Sequence, residues 1–265
     1  MSVKFSIVTV CYNPGEKLAE TIKTALQQEY DNFEIIIKDG MSGDNSLESL
    51  PDDERIRVFK GPDKGIYDAM NQAVEHITGD FVYFLNCGDS FYDSAVLKKV
   101  AACIEENPGA GIYYGDTYKE STASEVPMPG KITAFTCYRN IPCHQACFYA
   151  AELFKERGYD LNYKIRADYE HFLWCFFKKS VQPAHTGLLI ANYEGGGFSE
   201  TKENQKQDRK EHKEIVKKYM TKRQLFLAKS YMAVTLMPLR RWLGNSRHFS
   251  RFYNGLKKCI YGKRQ

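Results

Sequence analysis

The fold is decided by residues 4–40, which read KFSIVTVCYNPGEKLAETIKTALQQEYDNFEIIIKDG. The run KFSIVTV is typical of a strand, because apolar residues occupy nearly every position. GEKLAETIKTALQQ places Leu18, Ile22, Ala25 and Leu26 on one face of a helix. FEIIIKDG is a second apolar run of strand length. These residues therefore predict a strand, a helix and a second buried strand.

The same alternation continues to about residue 118. Further strands are predicted at RIRVFKG, DFVYFLN and AGIYYGDTY, and further helices at GIYDAMNQAVEHI and DSAVLKKVAACIEEN. Apolar strands that alternate with helices predict an α/β class with a Rossmann-like, doubly wound, mainly parallel sheet. GxGxxG after the first strand and GxxxxGK[ST] are both absent, so dinucleotide-binding and P-loop proteins lose their best marker.

The composition predicts a globular protein in a reducing compartment. The chain has 265 residues, of which 43% are hydrophobic and 26% charged. The opening MSVKFSIVTVCYN resembles a strand rather than a signal peptide, and no run of 18 uncharged apolar residues predicts a membrane span. The eight cysteines are scattered without a CxxC pair, which favours free thiols and a cytoplasmic setting.

The second half of the chain is less regular. Residues 119–143 are rich in Ser, Thr, Pro and Gly and predict a long, functional loop. CHQACFYA predicts a strand and DYEHFLWCFFKK a short aromatic helix. Gly195–Gly197 with Ser199 could form a mobile lid or a flexible exit from the domain.

The net charge of +4 is unevenly distributed. Residues 215–265 contain 13 Lys and Arg and no acid, so the remainder carries −9. We therefore predict two parts, a domain at 1–212 and a helical, basic, amphipathic C-terminal extension at 213–265. Basic residues among aromatic and aliphatic ones favour an anionic membrane surface as partner. Packing on the domain or on a second subunit, in a homo-oligomer, is the alternative. The large apolar complement disfavours nucleic acid.

Ligands of doubly wound sheets bind beyond the carboxyl ends of the strands. The polar residues at these ends lie at 12–13, 39–40 and 86–89, and Asp68 and Asn71 lie one turn apart near a helix start. Carboxylates beside a glycine-bearing turn suit a phosphorylated ligand and a hard divalent cation.

Five motifs follow one another within about the first 200 residues: FSIVTVCYN, IIIKDGMSGDNS, GPDKGIYDAMNQAVEHITGDFVYFLNCGD, HQACFY and IRADYEHFLW. Their order resembles that of family 2 glycosyltransferases of the GT-A fold, bacterial polysaccharide-assembly members in particular. The resemblance implies an inverting enzyme that uses a UDP- or GDP-sugar donor and a divalent cation, Mn²⁺ or Mg²⁺. It also implies a saccharide or lipid-linked saccharide acceptor and cell-surface polysaccharide synthesis. The scattered cysteines and the basic extension predict a cytoplasmic location, peripheral at the inner face of the cell membrane.

The resemblance also assigns roles to individual residues. Asp39 would bind the nucleotide base, Asp89 the metal, and His144 and Gln145 would face the acceptor. Asp168 would be the general base that removes the proton of the acceptor hydroxyl, with Glu170 as a rival. The implied donor-binding set is Thr9, Cys11, Tyr12, Asn13, Asp39, Lys64, Gly65, Asp68, Asn71, Asn86, Cys87 and Gly88.

The sequence departs from the family pattern where Asn86 and Gly88 replace two carboxylates of the DxD-type motif. Weaker cation binding is one reading, and a catalytically weakened, sugar-nucleotide-binding partner protein at the membrane is another. A nucleotidyltransferase on a similar sheet is a third, although the first strand lacks that class's glycine-rich basic loop. Asp39 and Asp89 could also be turn residues, and Asp168 a plain helix N-cap.

Overall fold

The computed structural model describes residues 2–193 and 204–234. The predicted strand–helix alternation of the first half is confirmed. The strands of the described residues are β1 (Phe5–Cys11), β2 (Phe33–Asp39), β3 (Ile56–Lys60), β4 (Phe81–Phe84), β5 (Ser90–Phe91), β6 (Ile112–Lys119), β7 (Ser124–Val126), β8 (Cys147–Ala150) and β9 (Ala184–Tyr193).

These nine strands form one sheet in the order β3-β2-β1-β4-β8-β6-β9-β5, with β7 paired to β6. The pairs β2–β3, β1–β2, β1–β4 and β6–β9 are parallel, whereas β5, β7 and β8 run antiparallel to their neighbours. Six of the nine strands therefore point the same way, and the predicted mainly parallel α/β sheet is confirmed.

The helices of the described residues are α1 (Lys17–Leu26), α2 (Ile66–Val74), α3 (Val96–Glu106), α4 (Ala134–Arg139), α5 (Ala151–Glu156), α6 (Ala167–Phe177), α7 (Asn204–Tyr219) and α8 (Lys222–Val234). Every residue of β1 and β2 is buried, which explains why both read as apolar runs. In α1 the predicted stripe packs inward, with Leu18, Ile22 and Ala25 fully buried.

Residues 119–143 are more structured than the predicted loop. They contain the β7 hairpin strand and α4, whose start is fixed by a capping box between Thr133 and Thr136. Thr133 accepts a hydrogen bond from the Thr136 amide at 3.1 Å, and the Thr136 hydroxyl receives the Thr133 amide at 3.2 Å. A pair of threonines satisfies a helix start inside a segment whose composition resembles a loop.

The chain divides into two compact units, residues 1–219 and 220–265. The predicted boundary at 212–213 falls inside α7, and the assignment of separate domains stays a prediction. The glycine-rich segment 194–200 and residues 235–265 lie outside the described residues. Within 2–193 and 204–234, every helix is too short or too polar to cross a membrane.

Candidate active site

The carboxyl ends of β1, β2 and β4 lie side by side, because these strands are parallel neighbours. Cys11 pairs with Asp39 in the sheet register, and the Gly40 amide donates to the Cys11 carbonyl at 2.9 Å. The Leu85 amide donates to the Val8 carbonyl at 2.9 Å, which aligns the end of β4 with β1. The polar residues that follow these strands are therefore held at one edge of the sheet.

Asp39 is fully buried at the end of β2. Its Oδ2 accepts the Ser42 amide at 2.9 Å, and its Oδ1 receives the Cys11 thiol at 3.6 Å. Asp39 thus does shape a turn, and a role in base binding would come in addition. The thiols of Cys11 and Cys87 interact, and this contact, burial and the nearby Asp39 carboxylate raise the pKa of Cys11 far above its usual range. Cys11 is therefore a neutral thiol at this edge.

The loop after β1 is tied to the loop after β2. Asn13 has a φ of 47°, its amide donates to Ser42 Oγ at 2.8 Å, and its Oδ1 accepts the Gly43 amide at 2.9 Å. Next to it, Tyr12 is 70% exposed, so its ring can contact a ligand. Thr9 is buried, and within the described residues no hydrogen-bond partner reaches its Oγ1.

The predicted donor residues of α2 have different contacts. Gly65, with a φ of 120°, precedes α2, and Asp68 Oδ2 accepts the Lys64 amide at 2.8 Å. Asn71 instead exchanges two bonds with the Tyr159 backbone: its Oδ1 accepts the amide at 2.7 Å and its Nδ2 donates to the carbonyl at 2.9 Å. Asn71 therefore anchors the chain near Tyr159, and its donor contact stays a prediction.

Residues 86–89 form a tight turn after β4. The Asp89 amide donates to the Asn86 carbonyl at 3.0 Å, and Gly88 has a φ of 92° that favours glycine. Thr21 of α1 holds this turn: its hydroxyl accepts the Gly88 amide at 2.9 Å and donates to the Asp89 carbonyl at 3.0 Å. Backbone geometry thus fixes where the Asp89 carboxylate emerges.

The oxygen atoms that this turn offers as metal ligands fit a hard cation that needs few protein ligands. The Asp89 carboxylate contributes one charged oxygen, and Asn86 Oδ1 is a buried oxygen with no hydrogen-bond partner in the described residues. Within those residues, no group of three or more His, Cys, Asp or Glu could hold a metal. A cation that keeps several waters and binds substrate phosphates needs only one or two carboxylates.

Asp168 is not an N-cap, since Arg166 holds that position of α6. Its Oδ2 lies 3.2 Å from His144 Nδ1, and its Oδ1 accepts the Tyr67 hydroxyl at 3.0 Å and the Tyr169 amide at 2.8 Å. Burial alone would raise the pKa of Asp168. The hydrogen bonds that Asp168 accepts from His144, Tyr169 and Tyr67, together with its electrostatic interaction with His144, outweigh burial and lower the pKa. The carboxylate is therefore ionised, and its hydrogen bonds fix its orientation.

His144 and Gln145 are consecutive residues that contact the two predicted carboxylates separately. His144 faces Asp168, and Gln145 Nε2 donates to Asp89 Oδ2 at 2.6 Å. The other ring nitrogen of His144 lies 2.9 Å from Asn86 Nδ2. With this amide as donor, His144 accepts at Nε2 and donates from Nδ1 to Asp168. One short turn therefore joins the predicted base to the predicted metal site.

Glu170 occupies a different environment. Two positions along a helix rotate the side chain by about 200°, so Glu170 points away from Asp168. It is fully buried, accepts Lys218 Nζ at 2.7 Å, and is bonded by the Arg157 guanidinium and the Tyr219 hydroxyl. The contacts of Glu170 are those of a structural ion-pair cluster.

Sequence reasoning missed two residues that contact the site, Tyr67 and Thr21. Tyr67 lies inside the quoted GIYDAMN motif, one position before Asp68, so the motif itself was a signal for it. Thr21 lies on the inner face of α1, and no local pattern distinguishes a buried threonine that packs from one that holds a turn.

The chain is similar to known proteins over most of its length. The model of "Glycosyl transferase family 2" matches residues 6–181. A "PGL/p-HBAD biosynthesis glycosyltransferase" of Mycobacterium bovis (strain BCG / Pasteur 1173P2) is 31% identical over 245 residues, which cover 90% of each chain.

Two solved structures have a similar fold. S. aureus TarS 1-349 in complex with UDP-GlcNAc has a TM-score of 0.60 at 17% identity and covers 92% of this chain and 74% of its own. The mannosyltransferase PcManGT from Pyrobaculum calidifontis, in complex with GDP-Man and Mn²⁺, has a TM-score of 0.61 at 12% identity. It covers 99% of this chain and 88% of its own. At these identities the likeness concerns the GT-A fold.

Proposed function

Because the chain belongs to glycosyl transferase family 2, we propose that it transfers a sugar from a UDP- or GDP-sugar to an acceptor hydroxyl in a single inverting displacement. The observation that carries the mechanism is the pair His144 and Gln145. These neighbours contact Asp168 and Asp89 on either side of one turn, which supports Asp168 as the base and Asp89 as the metal-binding carboxylate.

In this mechanism Asp168 takes the proton of the acceptor hydroxyl as the hydroxyl attacks the anomeric carbon. Its lowered pKa keeps the carboxylate ionised at neutral pH, and three hydrogen bonds orient it. A divalent cation at Asp89 would neutralise charge that develops on the leaving diphosphate. His144 holds Asp168 in place, and Gln145 does the same for Asp89. The sugar is transferred with inversion, and the chain forms no covalent intermediate.

The contacts of Asp168 and Glu170 favour Asp168 as the base. Both oxygens of Glu170 are engaged by Arg157, Lys218 and Tyr219 in the interior. A general base must lie within hydrogen-bond reach of the proton it removes. Side-chain atoms of Asp168 are 21% exposed, whereas those of Glu170 are fully buried, which supports Asp168.

We expect one nucleotide sugar to raise the melting temperature of the protein selectively, and Mn²⁺ to increase that shift. A ligand that binds only the folded state stabilises it by about 2.7 kcal/mol at one hundred times its Kd. The measurement is a thermal-shift screen of UDP-, GDP-, ADP-, CMP- and dTDP-sugars with and without Mn²⁺, with the matching free sugars as controls. Equal shifts for all nucleotides, or none, would contradict the proposed donor site.

A sugar-nucleotide-binding partner without turnover is the second candidate. It is favoured by Asn86 and Gly88, which leave Asp89 as the one carboxylate of the turn after β4. The same donor screen separates the two candidates once the stabilising nucleotide sugar is supplied with acceptors. Release of the nucleoside diphosphate together with a glycosylated product supports the enzyme, and binding alone supports the partner protein.

The acceptor proposed for this enzyme is a saccharide, free or lipid-linked, in cell-surface polysaccharide synthesis, met at the inner face of the cell membrane. Support comes from α8, in which Leu227, Tyr231 and Val234 are 55%, 55% and 82% exposed. Spacings of four and three residues place these three on one helix face, and Arg223 lies beside them. Exposed apolar residues next to basic ones suit a helix lying in an anionic interface.

We expect deletion of residues 221–265 to release the protein from vesicles that contain anionic lipid. Each basic residue near such a surface contributes about 1 kcal/mol, and the deleted segment carries eleven of the chain's Lys and Arg. Co-sedimentation with anionic and with neutral vesicles measures the effect. Donor binding by the truncated protein is the control for folding. Truncated protein that stays on anionic vesicles would overturn the membrane role of this segment.

A further inference from the structure

Helix α7 lies beyond the residues that match the family model, yet it buries a carboxylate against the segment that presents Asp168. α7 is a polar helix, but Glu211 on its inner face is only 1% exposed. A buried carboxylate is costly unless hydrogen bonds satisfy it. The contacts of Glu211 therefore need an explanation.

Those contacts are three consecutive backbone amides. Glu211 Oε1 accepts the Lys164 amide at 3.0 Å, and Oε2 accepts the amides of Ile165 at 3.1 Å and Arg166 at 2.9 Å. Gln207, one turn earlier, donates to Glu211 Oε1 at 2.9 Å. Hydrogen bonds to a charged acceptor contribute more to stability than hydrogen bonds between neutral groups. Glu211 thus fixes the chain as it enters α6.

A second contact from α7 holds the same segment. The Arg166 guanidinium forms two bonds with Asp208, from Nε at 2.7 Å and from Nη2 at 3.0 Å. Such bidentate pairs define direction as well as distance. Arg166 is the N-cap of α6, two positions before Asp168. The base therefore sits on a helix start that α7 holds by both backbone and side chain.

Ile165, whose amide binds Glu211, is also connected to the Asp168 carboxylate through the Tyr67 hydroxyl. The Ile165 amide binds Glu211, and the Ile165 carbonyl accepts the Tyr67 hydroxyl at 2.8 Å. The same hydroxyl lies 3.0 Å from Asp168 Oδ1. A shift of the Ile165 backbone would therefore move the Tyr67 hydroxyl, which orients Asp168.

We propose that Glu211 is a positioning residue for the reaction, which holds the 164–166 backbone so that Tyr67 and Asp168 keep their mutual geometry. This inference rests on the proposed function, since it assigns a role relative to the general base. It makes α7 part of the catalytic apparatus, although the family model ends at residue 181. Glu211 itself contacts no substrate, and it acts through Ile165 and Tyr67.

The test is Glu211→Gln, which keeps the shape of the side chain but weakens the acceptor of three amides. We expect kcat to fall by about ten- to a hundredfold while the KM of the donor stays within about twofold, because a misplacement near 1 Å can cost a hundredfold in rate. Glu214→Gln is the matched control, one turn later on the exposed face of α7, and should leave both constants unchanged.

A double-substitution cycle with Tyr67→Phe separates positioning from general support of the fold. If the two residues are coupled, the double variant loses less kcat than the product of the two single losses. If Glu211 only supports the fold, the loss of the double variant equals that product. If Glu211→Gln does not fold, Asp208→Asn weakens the Arg166 contact that holds the same segment and should lower kcat in the same direction. If the wild type is active and Glu211→Gln keeps its kcat, the inference is overturned. It is also overturned if the losses of Glu211→Gln and Tyr67→Phe simply multiply in the double variant. A wild type inactive with every nucleotide sugar fails the proposed function instead.

Discussion

Asp168→Asn is expected to lower kcat by about 10²–10⁴-fold while the Kd of the donor changes little. The amide keeps the size of the side chain and can still meet His144 and Tyr67, but it cannot accept the proton of the acceptor hydroxyl. Transfer is measured as release of the nucleoside diphosphate together with glycosylated product. Donor binding is measured separately, by calorimetry, because the proposed base would contact the acceptor rather than the nucleotide.

Glu170→Gln is the matched control for this prediction, two residues along the same helix. Its side chain is fully buried against Arg157, Lys218 and Tyr219, so we expect lower stability, on the order of 2 kcal/mol. Folded Glu170→Gln should keep its kcat. If Asp168→Asn still transfers the sugar and folded Glu170→Gln loses its kcat, the assignment of the base would be reversed.

Asp89→Asn is expected to remove the tightening of nucleoside diphosphate binding by Mn²⁺ and to lower transfer by at least about 10²-fold. Asp89 supplies the one carboxylate of the turn after β4, and Asn86 beside it offers a neutral oxygen. The loss of one charge should therefore abolish the cation effect rather than reduce it. Calorimetric Kd values for UDP and GDP, with Mn²⁺ and with a chelator, measure this directly.

Asp93→Asn provides the control for charge at the same side of the sheet. Asp93 accepts the Ala95 amide at 2.9 Å and Lys99 Nζ at 2.7 Å, contacts that belong to the start of α3. Its replacement should leave the effect of Mn²⁺ intact. A cation effect that persists in Asp89→Asn would place the metal ligands elsewhere, and a wild type without any cation effect would argue for metal-independent transfer.

The fold was predictable because its central strands are buried on both faces. β1 and β2 therefore read as apolar runs, and α1 shows its inner stripe at a period of 3.6 residues. The capping box at Thr133 and Thr136 was not predicted, because the surrounding composition resembles a loop. Composition describes a window of residues, whereas a cap depends on two specific side chains.

The site was predictable only to the level of which residue types follow which strands. The resemblance to the family names Asp168 as the base but leaves Glu170 as a rival, and only the rotation of α6 separates their environments. Asn71 meets Tyr159, which lies 88 positions away, and Glu211 meets Ile165 across 46. Contacts of such separation leave no local signal, because nothing in the spacing of either residue refers to the other.

The adjacency of His144 and Gln145 has a practical consequence for anyone who would redesign this enzyme. Because one residue contacts Asp168 and the next contacts Asp89, a backbone change at one position also disturbs the contact made at the other. Energies of residues in one hydrogen-bond network do not add. Libraries that vary position 144 alone will therefore mostly report lost activity, and altered specificity should be sought in combinations that randomise 86, 144 and 145 together.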